Sequence, residues 1–290
     1  MSVLCLIANP ADPALDPAIV AAIHREVGGE VNWLNQRIAC EIVKPKLTGA
    51  VAAARDLLSG RPVDVARVPL ANRRKRLLIA DMDSTMIGEE CIDELADAIG
   101  IKAEVAAITA RAMNGELDFE TALRTRVKLL KGLPLSRMEE VRRERITYAP
   151  GGRALVQTMK THGAVTSLVS GGFTYFADHV AKRIGFDEAM ANVLEIEGDA
   201  LAGTVRDPIL GREAKLSRLT TLAAFHDIPM AQTLAVGDGA NDLDMIRAAG
   251  LGVALHAKPV VAAEAQVRID HGDLTALLYL QGYADEDIVR

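Results

Sequence analysis

Short apolar runs and helix-like apolar stripes alternate along the first 70 residues. The run at 3–7 is continuously apolar and predicts a strand, and residues 16–27 carry a helical pattern that stops at Gly28 and Gly29. The other elements predicted here are strands at 30–34, 37–43 and 63–68 and a helix at 48–58. The resulting β-α-β-β-α-β order is that of the split βαβ architecture.

This element order resembles a single regulatory domain of the ACT type, a small α+β module that often binds amino acids. The resemblance implies serine or another amino acid as a ligand of residues 1–70. The order alone leaves a second interpretation open, in which this region is a structural appendage or one that joins two copies of the chain as a homodimer. The polar and basic segment 69–76 marks the predicted boundary between this region and the rest of the chain.

The pattern changes twice in the remainder, which we interpret as one domain at 71–290. Residues 77–80 form a continuous apolar run, which is typical of a buried parallel strand. From 89 to 147 the pattern is helical, with one apolar face at Ile92, Leu95, Ala96 and Ile99. The spacing of Ser136 and Glu139 is that of a capping box, so a further helix is expected to start at Ser136.

Beyond Pro150, strand and helix patterns alternate. Strands are predicted at 165–169, 188–193, 233–236, 251–254 and 267–269, with a hairpin at 194–210. Such alternation predicts an α/β fold with a parallel sheet and helices on both faces. The helical block at 89–147 then lies between the first core strand and the rest of the sheet, so we expect it to cover the mouth of the sheet as a cap.

Composition and charge exclude several classes of protein. The chain has 290 residues, of which 50% are hydrophobic and 25% charged, and its formal net charge is −6. Its one basic cluster, at 73–76, is short and is interpreted as a solvated linker, so no nucleic acid partner is expected. Apolar stretches fall short of the roughly 20 residues of a membrane helix, so no membrane partner is expected.

The three cysteines predict a reducing compartment. Cys5, Cys40 and Cys91 lie far apart and are odd in number, which argues against a disulfide framework and against a zinc site. The N-terminus lacks the charged and apolar regions of a signal peptide. Together these features predict a soluble, cytoplasmic protein.

Asp81 and Asp83 directly follow the first predicted core strand. One carboxylate of such a pair can attack phosphorus as a nucleophile, and the other can act as general acid and then as general base. An Asx turn that caps the next helix would explain the same residues without any chemistry.

Two further polar clusters follow predicted core strands. Ser170, Gly171 and Gly172 suit a phosphate cradle, although the same residues form common helix-start turns. Asp238, Asn241 and Asp242 offer three oxygen-bearing side chains in five residues, more than a helix cap needs, and suit Mg²⁺. Lys215 lies near the start of a helix predicted at 214–225, where it can neutralise a phosphate; alone it would be taken for a surface lysine.

The order Asp-x-Asp-x-Thr, Ser, Lys, Gly-Asp-x-x-x-Asp resembles the four-motif signature of the haloacid dehalogenase superfamily, over about 77–282. The resemblance implies a Rossmann-like core in which Asp81 is the nucleophile and Asp83 the general acid and base. It implies that Ser170 and Lys215 hold the phosphate. It also implies one Mg²⁺ per active site, bound by Asp81, by Asp238 and by the backbone carbonyl of Asp83, with Asn241 and Asp242 in support.

The predicted cap resembles that of the phosphoserine phosphatase family. The resemblance rests on Asp81–Ile87 followed by Glu90, and on Phe119–Val127 leading into 129–133. It implies that Glu90 and Arg126 contact the amino acid part of phosphoserine, that Met113 and Phe119 line the pocket, and that the reaction is the last step of serine biosynthesis. Glu90 and Arg126 also have an ordinary interpretation, as surface charges on cap helices.

Three alternatives remain at the level of sequence. The enzyme could act on another small phosphate ester, such as phosphohomoserine or a sugar phosphate. It could transfer the phosphate to a second alcohol instead of water. In a different class, the chain could be an amino acid-sensing regulatory protein, although a sensor would have no use for Asp81 or Lys215.

Overall fold

The N-terminal part of the molecule is a four-stranded antiparallel sheet covered by two helices. It is seen in a computed structural model that describes residues 1–113 and 116–290, with only the backbone of Met113. The elements, which we call the N-terminal unit, are β1 (Ser2–Ala8), α1 (Pro17–Val27), β2 (Glu30–Asn35), β3 (Ala39–Val43), α2 (Ala50–Leu58) and β4 (Val63–Pro69). The strand order is β2-β3-β1-β4, with every neighbouring pair antiparallel. The predicted order of elements is therefore confirmed.

Strand β1 is buried on both faces of this sheet. Leu4 and Leu6 pack under the two helices, whereas Val3, Cys5 and Ile7 belong to the large hydrophobic core that continues into the rest of the molecule. Because successive side chains of a strand point to opposite faces, a strand that is apolar throughout requires a partner on each side. The second face of the N-terminal unit thus packs against the rest of the chain.

Polar contacts tie this unit to the following residues, and one of them corrects the prediction of a solvated basic linker at 73–76. Arg73 lies 2.6 Å from Glu41 in a buried ion pair and donates a hydrogen bond of 2.8 Å to the carbonyl of Leu280. Lys75 is 7% exposed and donates to the carbonyl of Ala231 over 2.7 Å. The prediction failed because the two parts of the chain pack together here, so the linker bridges them and is partly buried.

The second sheet has six parallel strands in the order β12-β11-β10-β5-β6-β7. These strands are β5 (Leu77–Ala80), β6 (Val165–Phe173), β7 (Glu188–Asn192), β10 (Thr233–Gly237), β11 (Leu251–Leu255) and β12 (Val267–Ile269). The helices that accompany the sheet are α7 (Gly152–Thr161), α8 (Thr174–Ile184), α9 (Arg212–Phe225), α10 (Leu243–Ala248), α11 (Pro259–Glu264) and α12 (Ala276–Leu280). The fold class predicted from the sequence is confirmed.

The described part of the cap consists of helices inserted after β5. They are α3 (Cys91–Ala98), α4 (Lys102–Met113), α5 (Phe119–Leu129) and α6 (Leu135–Glu144). Helix α6 begins after Pro134 and without a side-chain cap, so the predicted capping box at Ser136 was wrong. Over the described residues, we find no helix with the length and apolarity required to cross a membrane.

The cap is attached to the core at its two chain connections and also through the turn between α5 and α6. A hairpin formed by β8 (Leu194–Glu197) and β9 (Ala200–Val205) extends from the core sheet. Leu201 exchanges backbone hydrogen bonds with the α5–α6 turn, accepting from Gly132 at 2.8 Å and donating to Leu133 at 2.9 Å. Leu135 donates to Asp199 over 2.9 Å. The hairpin therefore holds the cap at the α5–α6 turn through backbone hydrogen bonds.

Candidate active site

The carboxyl ends of three adjacent core strands bring the predicted polar clusters together. Strand β5 lies between β10 and β6, and Ala80 is in register with Val236 on one side and with Leu168 on the other. Asp81 leaves β5 at the same level at which β10 leads into Asp238, and Ser170 lies two residues beyond Leu168. In open parallel sheets this edge is where ligands bind.

Lys215 joins two buried carboxylates at the centre of this edge. Its Nζ lies 2.7 Å from Oδ1 of Asp81 and 2.6 Å from Oδ1 of Asp242, and its side chain is only 1% exposed. Burial disfavours the charged amine, but the two carboxylates outweigh that effect and raise the pKa of Lys215. Burial and the charge of Asp242 raise the pKa of Asp81, and the contact with Lys215 opposes them. The lysine that sequence alone would place on the surface is thus an internal counter-charge.

Asp81, Asp238 and Asp242 form a cluster that fits a divalent cation. One carboxylate oxygen from each lies within 4.8 Å of the others. Burial, followed by the nearby charge of Asp242, raises the pKa of Asp238 to about 6. One lysine cannot neutralise three buried carboxylates, and hard cations prefer such oxygen ligands. The residues present therefore fit a metal, and Asp242, expected only to support the site, contributes a carboxylate to the cluster.

Asp83 lies beside this cluster in a different environment. Its Oδ1 accepts a hydrogen bond of 3.2 Å from the backbone N–H of Cys91, at the first residue of α3. Burial, followed by the charge of Glu90, raises the pKa of Asp83 to about 7. A carboxyl group with this pKa can hold a proton near neutral pH and release it during a reaction. Asp81 and Asp83 thus have separate environments suited to separate roles.

The Ser170–Gly172 segment lies within strand β6, which extends to Phe173, so it does not form the predicted helix start. Ser170 is 2% exposed, and its Oγ accepts a hydrogen bond of 2.8 Å from the backbone N–H of Gly172. A Cβ at Gly172 would lie 2.7 Å from Oδ2 of Asp83. The glycine is therefore required for the close approach between this segment and Asp83.

Asn192 is a site residue that the sequence analysis missed. Its fully buried amide donates hydrogen bonds to the carbonyls of Gly171 at 2.8 Å and of Leu210 at 3.2 Å, and its Oδ1 accepts from the backbone N–H of Leu210 at 2.7 Å. It therefore fixes the segment that carries Ser170 against the loop that leads into the helix of Lys215. Nothing in the local sequence distinguishes this asparagine from others.

A cavity of about 510 Å³ opens above these groups and is closed on its other side by the cap. The predicted site residues in its wall are Asp81, Asp83, Glu90, Phe119, Arg126, Ser170, Gly171, Gly172, Asp238 and Asn241. Lys215 and Asp242 lie just behind that wall, in contact with Asp81 or with each other. The side chain of Met113 lies outside the described residues.

Two opposite charges of the cap face the cavity. Arg126 is half-buried, donates from Nη1 to Thr109 over 3.2 Å and from Nε to the carbonyl of Ala122 over 3.3 Å. Glu90 accepts a hydrogen bond of 2.9 Å from the hydroxyl of Ser84. Thr109 was not predicted; it orients the guanidinium of Arg126 toward the space above the buried carboxylates.

Comparison with known proteins gives consistent matches. The family model described as haloacid dehalogenase-like hydrolase matches residues 78–247. Curated proteins named phosphoserine phosphatase are similar in sequence: that of Streptomyces coelicolor is 46% identical over 78% of this chain, and that of Polaromonas sp. is 45% identical over 78%. The chain spans 55% of the length of the Streptomyces protein and 98% of the Polaromonas protein.

A solved structure covers almost the whole chain. The probable phosphoserine phosphatase of Vibrio cholerae superposes with a TM-score of 0.81 at 35% identity, over 99% of this chain and 88% of that one. The similarity therefore includes the N-terminal unit as well as the core and the cap.

Proposed function

We propose that this chain, which belongs to the haloacid dehalogenase-like hydrolases and within them to the phosphoserine phosphatase family, hydrolyses O-phospho-L-serine to L-serine and phosphate. The observation that carries the proposal is the arrangement of Asp81 and Asp83 at the floor of a cavity whose cap side presents Glu90 and Arg126. The floor suits phosphoryl transfer, and the two cap charges suit a zwitterionic amino acid.

The proposed cofactor is one Mg²⁺ per active site. Asp81 and Asp238 would hold it with the backbone carbonyl of Asp83, and Asp242 would support it. Bound there, the metal supplies neutralisation of the negative charge on the phosphate and on the carboxylates around it.

In the first step, an oxygen of the Asp81 carboxylate attacks phosphorus. The bond between phosphorus and the seryl oxygen breaks, and Asp83 donates its proton to that oxygen, so serine leaves as a neutral alcohol. The raised pKa of Asp83, about 7, supports its role as the acid. Lys215, 2.7 Å from Asp81, keeps the nucleophile oriented and offsets the charge that accumulates as the aspartyl phosphate forms.

In the second step, Asp83 is a carboxylate and removes a proton from a water molecule. The water oxygen bonds to phosphorus, and the bond between phosphorus and Asp81 breaks. Phosphate leaves, the nucleophile is restored as a carboxylate, and Asp83 again holds a proton. Ser170 and the backbone of Gly171 and Gly172 hold the phosphate oxygens during both steps.

Substrate recognition is assigned to the cap. Arg126 binds the substrate carboxylate through its planar guanidinium, and Glu90 binds the ammonium group. Phe119 forms part of the apolar wall, and Met113 is proposed to do so as well.

The remaining proposals concern organisation. Residues 1–70 form an ACT-like domain that binds serine or another amino acid or joins two chains in a homodimer. Residues 71–290 form the phosphatase domain, with the cap at about 89–147. The two-sided burial of β1 supports a unit that is built into the enzyme. We place the protein in the cytoplasm, at the last step of serine biosynthesis.

The test is phosphate release from O-phospho-L-serine, with Mg²⁺ and with a chelator, beside phosphohomoserine and a sugar phosphate. We expect metal-dependent release that is selective for phosphoserine and is abolished in Asp81→Asn. Release from another ester alone would refute the assigned substrate but keep the chemistry. Serine binding by a chain that releases no phosphate from any ester would instead indicate a sensor.

A further inference from the structure

A second cavity, of about 690 Å³, lies where the N-terminal unit, the segment that returns from the cap and the C-terminal residues meet. We call it the junction cavity. Its wall includes Asn35 and Ile38 of the N-terminal unit, Tyr148 of the segment that returns from the cap, and Asp273, Tyr279 and Ile288 of the C-terminal residues. Among the residues that the structure describes, the two cavities have no wall residue in common, so the proposed reaction leaves the junction cavity without a role.

The junction cavity combines an apolar floor with a cationic rim. Ile184, Tyr279 and Ile288 are each at most 8% exposed and form the floor. The side chains of Arg153 and Arg183 are at the rim, and within the described residues neither makes an ion pair with a carboxylate. Arg153 is placed there by a hydrogen bond of 3.0 Å from its Nη1 to the carbonyl of Arg183.

The acidic group of the wall is already engaged. Oδ1 of Asp273 accepts hydrogen bonds from the backbone N–H of Thr275 at 2.8 Å and from the hydroxyl of the same residue at 2.5 Å. These hydrogen bonds leave the charge of Asp273 in place, and Arg290 is paired with Asp285. Arg153 and Arg183 thus face a single carboxylate of the wall, and positive charge is in excess around the opening of the cavity. A ligand that contacts both the apolar floor and the cationic rim would therefore have an anionic group and an apolar body.

We propose that the junction cavity is a regulatory site for a small organic carboxylate with an apolar body. Arg153 and Arg183 bind the carboxylate, since guanidinium groups match its planar geometry. The apolar body lies against Ile184, Tyr279 and Ile288.

Hydrogen bonds connect this cavity to the catalytic loop. Tyr148 pairs with Ile87 in a β-bridge, and the N–H of Ala149 donates to the carbonyl of Met86 over 3.0 Å. The N–H groups of Met86 and Ile87 in turn donate to the carbonyl of Met82 at 2.8 Å and 3.0 Å. Met82 lies between Asp81 and Asp83.

A ligand in the junction cavity thus contacts the cap's return segment and the N-terminal unit together. Occupancy alters the position of the cap and hence the apparent affinity for the substrate. A coupling of ordinary size changes KM by about fivefold or more.

The first experiment measures binding to the full chain by calorimetry. The probes are L-leucine and L-phenylalanine, the corresponding 2-oxo acids, and the amides of the two amino acids. We expect the carboxylates to bind and the amides not to bind. Binding by the 2-oxo acids and the amino acids alike identifies the carboxylate as the recognised group, whereas binding by the amides overturns the proposal.

Two variants of helix α8 locate the bound probe. Arg183→Gln removes one rim cation and weakens binding about tenfold. Lys182→Gln is the matched control, because Lys182 is an exposed cation on the same helix that lies outside the cavity wall, and it leaves binding unchanged. Equal binding by both variants, or no binding of any probe at millimolar concentration, refutes the site.

Two further measurements separate this site from the active site. Binding is repeated over a range of orthovanadate concentrations. A probe Kd that keeps rising in proportion to vanadate shows that the probe occupies the active site and refutes the proposal, whereas a change in Kd that levels off is the expected coupling between two separate sites. KM for phosphoserine is then measured with and without the probe; an unchanged KM refutes the coupling. Because the binding arm needs no turnover, its failure is distinguishable from a failure of the proposed phosphatase activity.

Discussion

Replacing Gly172 by alanine tests the position of Asp83 without removing any reacting group. The added Cβ would lie 2.7 Å from Oδ2 of Asp83 and 3.0 Å from Oγ of Ser170, whereas ordinary contacts begin at 3.4 Å. The backbone of Gly172 does not need the left-handed region, so the methyl group introduces no backbone strain. The Asp83 carboxylate must therefore move by about 0.7 Å, and a displacement of this size can reduce turnover about 100-fold.

The assay compares two substrates with different leaving groups. The seryl oxygen needs a proton as it leaves, but the oxygen of an aryl phosphate such as p-nitrophenyl phosphate does not. We expect kcat/KM for phosphoserine to fall about 100-fold and kcat/KM for the aryl phosphate to fall much less. The ratio of kcat/KM for the two substrates isolates the transfer of the first proton, because kcat/KM excludes later hydrolysis of the aspartyl phosphate.

Gly171→Ala is the control in the same segment. Its Cβ would meet the ring of Phe119 at 3.2 Å, and that side chain is 37% exposed and can move away. We expect Gly171→Ala to keep most of the phosphoserine activity. Equal losses with both substrates in Gly172→Ala, or equal losses in the two variants, would contradict the role given to Asp83.

Three further predictions follow from single contacts. Arg126→Met should raise KM for phosphoserine about 10- to 100-fold through loss of a charged hydrogen bond. Arg124→Met is the control on the same helix and should leave KM unchanged, because the Arg124 guanidinium pairs with Glu120 and Asp207 and lies outside the described wall of the cavity; similar KM values for the two variants would remove Arg126 from substrate recognition. Lys215→Met should lower the free energy of unfolding by about 3–5 kcal/mol, since two buried carboxylates lose their counter-charge. The measurement is a urea titration of the metal-free protein at neutral pH, and an unchanged unfolding midpoint would argue against that buried pairing. Asp64→Asn should lower the free energy of unfolding by about 1–3 kcal/mol, because the Asp64 carboxylate accepts hydrogen bonds from the backbone N–H groups of three consecutive residues. Asp56→Asn, at an exposed position, should leave it unchanged, and equal unfolding midpoints for the two variants would disprove this anchoring role.

The elements around the site could be predicted because their signals are local. Asp81 and Asp238 each follow a continuous apolar strand. The carboxyl ends of parallel strands lie at one edge of the sheet, irrespective of the segments that connect the strands. Lys215 gave no local signal of burial; only its place in the order of motifs distinguished it from a surface lysine. Its burial depends on Asp81 and Asp242, which lie far away in sequence.

The features that sequence missed depend on distant partners. Asn192 functions through the carbonyl of Gly171 and the backbone of Leu210, contacts that exist only after folding. Helix α6 begins at Leu135 because Pro134 has φ −65° and ψ 143°, and the N–H of Leu135 bonds to Asp199 of the hairpin. The capping-box spacing at Ser136 was therefore overruled by a tertiary contact. Arg73 is similar, since its burial depends on Glu41 in another part of the chain.

The backbone ladder between the α5–α6 turn and the β8–β9 hairpin makes the cap and the hairpin one transplantable module. Leu201 accepts a backbone hydrogen bond from Gly132 and donates one to Leu133. Backbone hydrogen bonds do not depend on side-chain identity, so a hairpin of the same register could form them as well. A chimaera that exchanges only the cap would leave the backbone groups of Leu201 and Asp199 without partners unless the new cap has a turn of the same backbone geometry. Engineering this scaffold toward a new phosphate ester thus means moving two chain segments together, with their junction kept intact.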